Sequence, residues 1–155
     1  MALLSEGASA PEFSLPADDG ATYSLKKLRG TTVVLYFYPK DDTSGCTKEA
    51  CAFRDSQVAL KRVGVQVLGV SKDSVASHGK FVAKYHLTFP LLSDPDHAMQ
   101  EAYGVWQEKR LYGRTYLGTS RTTYIIDAKG KVAKVFPKVK VDGHVEAVLA
   151  AVKAL

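Results

Sequence analysis

Residues 33–38, Val-Val-Leu-Tyr-Phe-Tyr, are apolar at every position, the pattern of a strand covered on both faces of its sheet. Pro39 stops the run, and the polar loop Lys40-Asp41-Asp42 follows. From Ser44 the spacing predicts a helix over 44–62, with Gly64 where a helix C-terminal glycine belongs. Residues 65–70 read as a second buried strand and 75–85 as a helix. Residues 89–92 read as an edge strand broken by Pro90, and 96–103 as a short helix. Residues 104–118 carry aromatics and three glycines without a clear period, and are read as loop. Two hairpins are predicted, one turning at Ala17-Asp18-Asp19-Gly20 and one at Ala128-Lys129-Gly130. Val145, Val148, Leu149, Val152 and Leu155 give a closing helix one apolar face. Strands alternating with helices, then an antiparallel hairpin and a last helix, predict an α/β fold. Its mixed central sheet is flanked by helices and preceded by a β-hairpin. No repeat or linker divides the chain, so one domain is expected over 1–155.

Composition narrows the function classes only a little. A chain of 155 residues with 46% hydrophobic content can bury a core without metal or disulfide staples. The 21 basic and 16 acidic residues give a net charge of +5 and a pI of about 9.1. The basic residues are scattered from Lys26 to Lys153 with no run longer than two. That describes a solvated surface, and no nucleic-acid partner is expected. No apolar stretch reaches the length of a membrane span, so no membrane partner is expected. The N-terminus has no secretory pattern, and a cytoplasmic, reducing setting is expected. There, neighbouring cysteines point to catalysis, redox chemistry or metal binding more than to a permanent staple.

The chain has two cysteines, Cys46 and Cys51. Cys46 falls where a buried strand gives way to a helix N-terminus, an end that favours negative charge and so marks a candidate nucleophile. A zinc site would need about four ligands. His78, His86, His97 and His144 are dispersed without ligand spacing and are read as surface or partly buried histidines. Asp18-Asp19 and Asp41-Asp42 are read as turn residues. Trp106, Tyr103, Tyr112 and Tyr116 are read as packing.

The segment PKDDTSGC fits Pro-x-x-x-Thr-x-x-Cys, which resembles the active-site signature of the peroxiredoxins. The longer YPKDDTSGCTKEACAFRD is similar to the peroxiredoxin Q subfamily, also called bacterioferritin comigratory protein. The likeness continues in order through GVSKDSVASHGKF, FPLLSD, AYGVW, YGR and SRTTYIID. The resemblance implies a thioredoxin-like fold and a thiol peroxidase of antioxidant defence that acts on hydrogen peroxide and organic hydroperoxides. It implies Cys46 as the peroxidatic thiol and Cys51 as the resolving thiol. Pro39, Thr43 and Arg121 match the remaining functional positions. It implies no metal, haem or flavin, and a dithiol protein such as thioredoxin as reductant. Without it, Thr43 also reads as a helix cap, Pro39 as a strand stop and Arg121 as a surface arginine. Glu49, one turn after Cys46, reads either as a partner for Arg121 or as a solvated helix residue.

An ordinary cysteine is only about 3% ionised at pH 7, so full ionisation accelerates attack at most ~30-fold. The larger gain must come from stabilising charge as the O–O bond breaks. Cys51 poses a geometric problem. Five residues of helix separate two Cα atoms by about 8.7 Å, beyond the ~7 Å a disulfide spans. The helix between them must therefore unwind for the bond to form. Ser44 stands where proline is frequent in similar proteins, and serine is expected to loosen this turn slightly. A thiol–disulfide oxidoreductase is the alternative enzyme, although four residues rather than two lie between the cysteines. A peroxide-sensing redox protein would share the chemistry but turn over slowly. An internal resolving thiol removes the chemical need for a partner subunit, and a monomer is expected.

Overall fold

A computed structural model describes residues 2–155. Among the described residues, nine strands and five α-helices follow the order the hydrophobic pattern predicts, with one hairpin added and one helix divided in two. A five-stranded sheet, ordered β5-β4-β3-β8-β9, forms the centre. Its middle strand is β3 (Thr32–Phe37). This strand runs parallel to β4 (Val65–Ser71) and antiparallel to β8 (Thr122–Ile126). Strand β5 (Leu91–Ser93) is one edge, and β9 (Val132–Phe136) is the other. The mixed sheet flanked by helices is thus the thioredoxin-like arrangement expected.

Alternation along β3 explains its unbroken apolar run. Val34 and Tyr36, with Tyr38 just beyond, enter one core under α1 (Ser44–Asp55), α3 (Val75–Tyr85) and α5 (His144–Lys153). Val33, Leu35 and Phe37 enter a second core, which includes Phe13, Leu25, Met99 and Tyr103. Those residues come from the N-terminal hairpin of β1 (Ser14–Pro16) and β2 (Thr22–Ser24), the segments beside it, and α4 (Ala98–Ala102) with the residue that follows. A strand covered on both sides has no solvent face and therefore no polar positions. Tyr36 lies across β4 at Gly69, where a Cβ would come within 2.9 Å of the tyrosine ring and 2.7 Å of Leu91. Tyr36 then stacks on Phe53 of α1, with ring centroids 4.7 Å apart.

Four readings need correction. The predicted helix over 44–62 is two helices, α1 and α2 (Gln57–Arg62), because Ser56 leaves helical geometry at φ −98°, ψ 8°. The turn brings Leu60 into the core that already holds Phe53. The stretch 104–118 is not loop. It forms β6 (Trp106–Leu111) and β7 (Arg114–Thr119), an antiparallel hairpin apart from the main sheet. Its two-residue turn, Tyr112-Gly113, has φ of 51° and 75°, the conformation that tight hairpins require. Most of the hairpin is wet, so no hydrophobic period marked it. Tyr112 is 96% exposed and Tyr116 45% exposed, so neither is a packing residue, whereas Tyr103 is fully buried. Leu155 is also exposed, leaving Val145, Val148 and Val152 as the buried face of α5.

Candidate active site

The site forms where β3 ends and α1 begins. Thr43 occupies the N-cap position of α1, but its hydroxyl does not cap the helix. It donates instead to the carbonyl of Lys40 at 2.9 Å, leaving its lone pairs free to accept. The first helical hydrogen bond runs from Thr47 N–H to the Thr43 carbonyl. N–H groups of this first turn have no carbonyl to meet within the helix and present donors to an anion. Cys46 lies there, 1% exposed. Pro39, half-buried, ends the strand upstream.

Antiparallel pairing delivers the cation. Phe37 is opposite Thr122, so Arg121, one residue earlier, arrives beside the C-terminal end of β3. One arm of its guanidinium donates to Cys46 Sγ at 3.3 Å. Its other terminal nitrogen donates to Glu49 Oε1 at 2.6 Å. A planar fork can hold both at once; a lysine cannot. The guanidinium also lies across Gly45, where a Cβ would stand 3.2 Å from its Nη2. Any larger residue would press on a group already held at both ends. Glycine at this position was not singled out from the sequence, although its place beside Cys46 was a usable signal.

Glu49 is fully buried, so it is not a solvated helix glutamate. Burial pushes its carboxyl up to about 7, against the pull of Arg121. Its Oε2 has no hydrogen-bond partner, consistent with burial outweighing the ion pair. Burial also opposes the charged form of Arg121, but Glu49 and then Cys46 more than offset it and raise Arg121 above the ordinary arginine value. Tyr36 lies in the same field, its hydroxyl raised well above the usual range by burial first and Glu49 second. The β6–β7 hairpin contributes Lys109, which burial, followed by Arg121, lowers, with Cys46 pulling the other way. The charged part of the site therefore reaches beyond the residues legible in the motif.

Cys51 is half-buried further along α1, and both thiols are free. Helix α1 is unbroken through both positions. Asp41 and Asp42 both lie in the turn expected of them, Asp42 at φ 56°, with Asp41 buried there. The histidine reading changes. His78 is fully buried and His144 is 6% exposed, so neither is a surface histidine. Burial, with Arg121 behind it, holds His144 down to about 4, and its Nε2 lies 2.8 Å from Thr123 Oγ1. Among the described residues, no three His, Cys, Asp or Glu side chains gather to hold a metal, and no helix is long and apolar enough to cross a membrane.

A family model described as the AhpC/TSA family matches residues 7–135. The chain is 55% identical over 143 residues to a putative peroxiredoxin bcp of Coxiella burnetii, covering 92% of this chain and 95% of that one. It superposes on a peroxiredoxin Q mutant from Xylella fastidiosa with a TM-score of 0.93, at 34% identity over 99% of this chain and 98% of the other. A structure of the Xanthomonas campestris bacterioferritin comigratory protein, from work on that protein's alkyl peroxide reduction activity, matches with a TM-score of 0.88. Identity there is 43%, over 92% of this chain and 90% of the other. The chain belongs to the AhpC/TSA family, among its peroxiredoxins of the Q type, which are thiol-dependent peroxidases.

Proposed function

We propose that this chain, as one domain over 1–155, reduces hydrogen peroxide and organic hydroperoxides with Cys46 as the peroxidatic thiol and Cys51 as the resolving thiol. The observation that carries this reading is the Arg121 fork, set between Cys46 Sγ and Glu49. The Cys46 thiolate attacks one peroxide oxygen; an S–O bond forms and the O–O bond breaks. The departing oxygen takes the electron pair and a proton, leaving as alcohol or water, and Cys46 becomes a sulfenic acid. The Thr43 hydroxyl, its own hydrogen held by the Lys40 carbonyl, accepts from the peroxide O–H. Charge develops on the leaving oxygen within reach of the first-turn N–H groups and Arg121. Such fixed donors lower a barrier because they need no reorganisation as charge moves. Pro39, without an N–H, shields one wall.

Cys51 then attacks the Cys46 sulfur, forming the disulfide and expelling hydroxide, which is protonated to water. Since α1 is helical through both thiols, this step requires it to unwind. A dithiol reductant, thioredoxin in our reading, restores both thiols by exchange and supplies the two electrons that the peroxide received. The alkyl peroxide activity of the X. campestris relative supports the organic substrates. A monomeric, cytoplasmic enzyme fits an internal resolving thiol.

Rapid mixing of the reduced protein with hydrogen peroxide or cumene hydroperoxide, quenched and read by mass spectrometry, tests this. A sulfenic acid at Cys46 should appear first and a Cys46–Cys51 bond second. Oxidation that begins at Cys51 would reverse the assignment.

A further inference from the structure

The pocket loop 39–43 turns a single side chain inward. Lys40, Asp42 and Thr43 are exposed, while Asp41 is 8% exposed. Its carboxylate is filled by three donors. Tyr38 Oη–H donates to Oδ1 at 2.6 Å. Ser77 Oγ–H and His78 Nδ1–H donate to Oδ2 at 2.8 Å and 2.7 Å. The other ring nitrogen of His78 donates to the carbonyl of Leu92 on β5 at 2.9 Å, so the ring ties the loop through α3 to the sheet edge. The Asp41 N–H donates to Asp73 Oδ2 at 2.9 Å, and that same oxygen accepts from Ser71 Oγ at 2.7 Å.

Asp42 is fastened to the other end of α3, accepting from Lys84 Nζ at 2.8 Å and from Tyr85 Oη at 2.7 Å. Beyond the two cysteines, Arg54 donates to the carbonyl of Tyr85 at 2.7 Å. Helix α3 therefore grips the chain on both sides of the segment that must unwind. Nothing in the peroxide chemistry needs Asp41 or His78 to touch the substrate. Their burial and full hydrogen bonding point to another role.

We propose that Asp41 and His78 are positioning residues that hold the pocket loop on α3, so that unwinding begins only after Thr43 and the loop keeps its place throughout the cycle. The proposal rests on the reading of Cys46 and Cys51 given above. The peroxide step depends on where Pro39 and Thr43 stand relative to Cys46, and displacements of about an ångström in such sites can cost on the order of a hundredfold in rate. The disulfide step depends on loosening downstream of the anchor. Loss of the anchor should therefore slow the first step and spare the second.

Rapid mixing with hydrogen peroxide separates the two steps. His78→Ala should lower the rate of Cys46 sulfenic acid formation by about tenfold or more and leave the following disulfide step unchanged or faster. Asp41→Asn puts an amide donor where Oδ2 accepted from Ser77 and His78, and should slow the first step in the same way. Peroxide oxidation as fast as the parent's in His78→Ala, or equal slowing of both steps, would overturn the proposal. Amide exchange of the unaltered protein tests it where a variant fails to fold. In the disulfide form the Asp41 N–H should stay protected while those of residues 46–51 exchange. Joint loss of protection would sink it. A parent protein whose Cys46 does not react with peroxide would instead refute the underlying function.

Discussion

The first turn of α1 and the turn that carries Cys51 belong to one helix but meet different surroundings. At Cys46 the sulfur is enclosed, a guanidinium stands 3.3 Å away, and the loop before it is bonded to α3. At Cys51 the side chain is half-buried on the opposite flank. In the proposed cycle the first turn holds a geometry for one bond-breaking event. The later turn then gives that geometry up, because an intact helix keeps the two sulfurs apart. A peroxidase of this design needs rigidity and lability within a dozen residues. The structure separates them by anchoring the ends of the segment rather than its middle.

The sharpest break of this comparison comes from exchanging each thiol in turn. Cys46→Ser should abolish peroxide consumption in both single and multiple turnovers. Cys51→Ser should keep the first oxidation near the parent rate and lose steady turnover with thioredoxin. If the two variants behaved alike, the division of labour along α1 would be wrong.

Arg121 comes next. Arg121→Met should slow Cys46 oxidation by about a hundredfold. Arg121→Lys should regain only part of this, since one ammonium cannot serve both the sulfur and Glu49. Stopped-flow oxidation rates measure both, and full activity in the lysine variant would show that charge alone suffices.

The smallest effect concerns Glu49 and appears in stability. Its carboxyl goes from the ordinary 4.5 when unfolded to about 7 when folded. Between those values the folded state binds more proton, so stability falls as pH rises through the interval. The loss is at most about 3 kcal/mol. Thermal melts at about pH 5 and about pH 7.5 should therefore show the parent losing stability relative to Glu49→Gln as pH rises. Parallel curves for the two proteins would place Glu49 outside this account.

How much of this was legible depended on whether burial left a mark in the sequence. The run at 33–38 announced its double-sided burial; its partner β4 could be found by the same rule, and β8 by the turn at Ala128-Lys129-Gly130. Arg121 could be tied to Cys46 only by family resemblance. The physical reason, its position one residue before the partner of Phe37, appears only once the register is known. The β6–β7 hairpin escaped because two wet faces give no alternation, and a tyrosine at φ 51° is not a usual turn residue. Asp41 and His78 escaped for the opposite reason. Polar residues buried by mutual pairing look, one at a time, like a turn aspartate and a helix-surface histidine.

Gly69 extends the reach of the site in a direction the motif does not suggest. With only a hydrogen there, the Tyr36 ring can lie down over β4, and Phe53 rests upon that ring. The resting height of α1 is thus set by an atom missing from a neighbouring strand. A lone methyl group added on β4 would tilt the floor beneath the Cys46 sulfur without touching any residue of the proposed peroxide pocket.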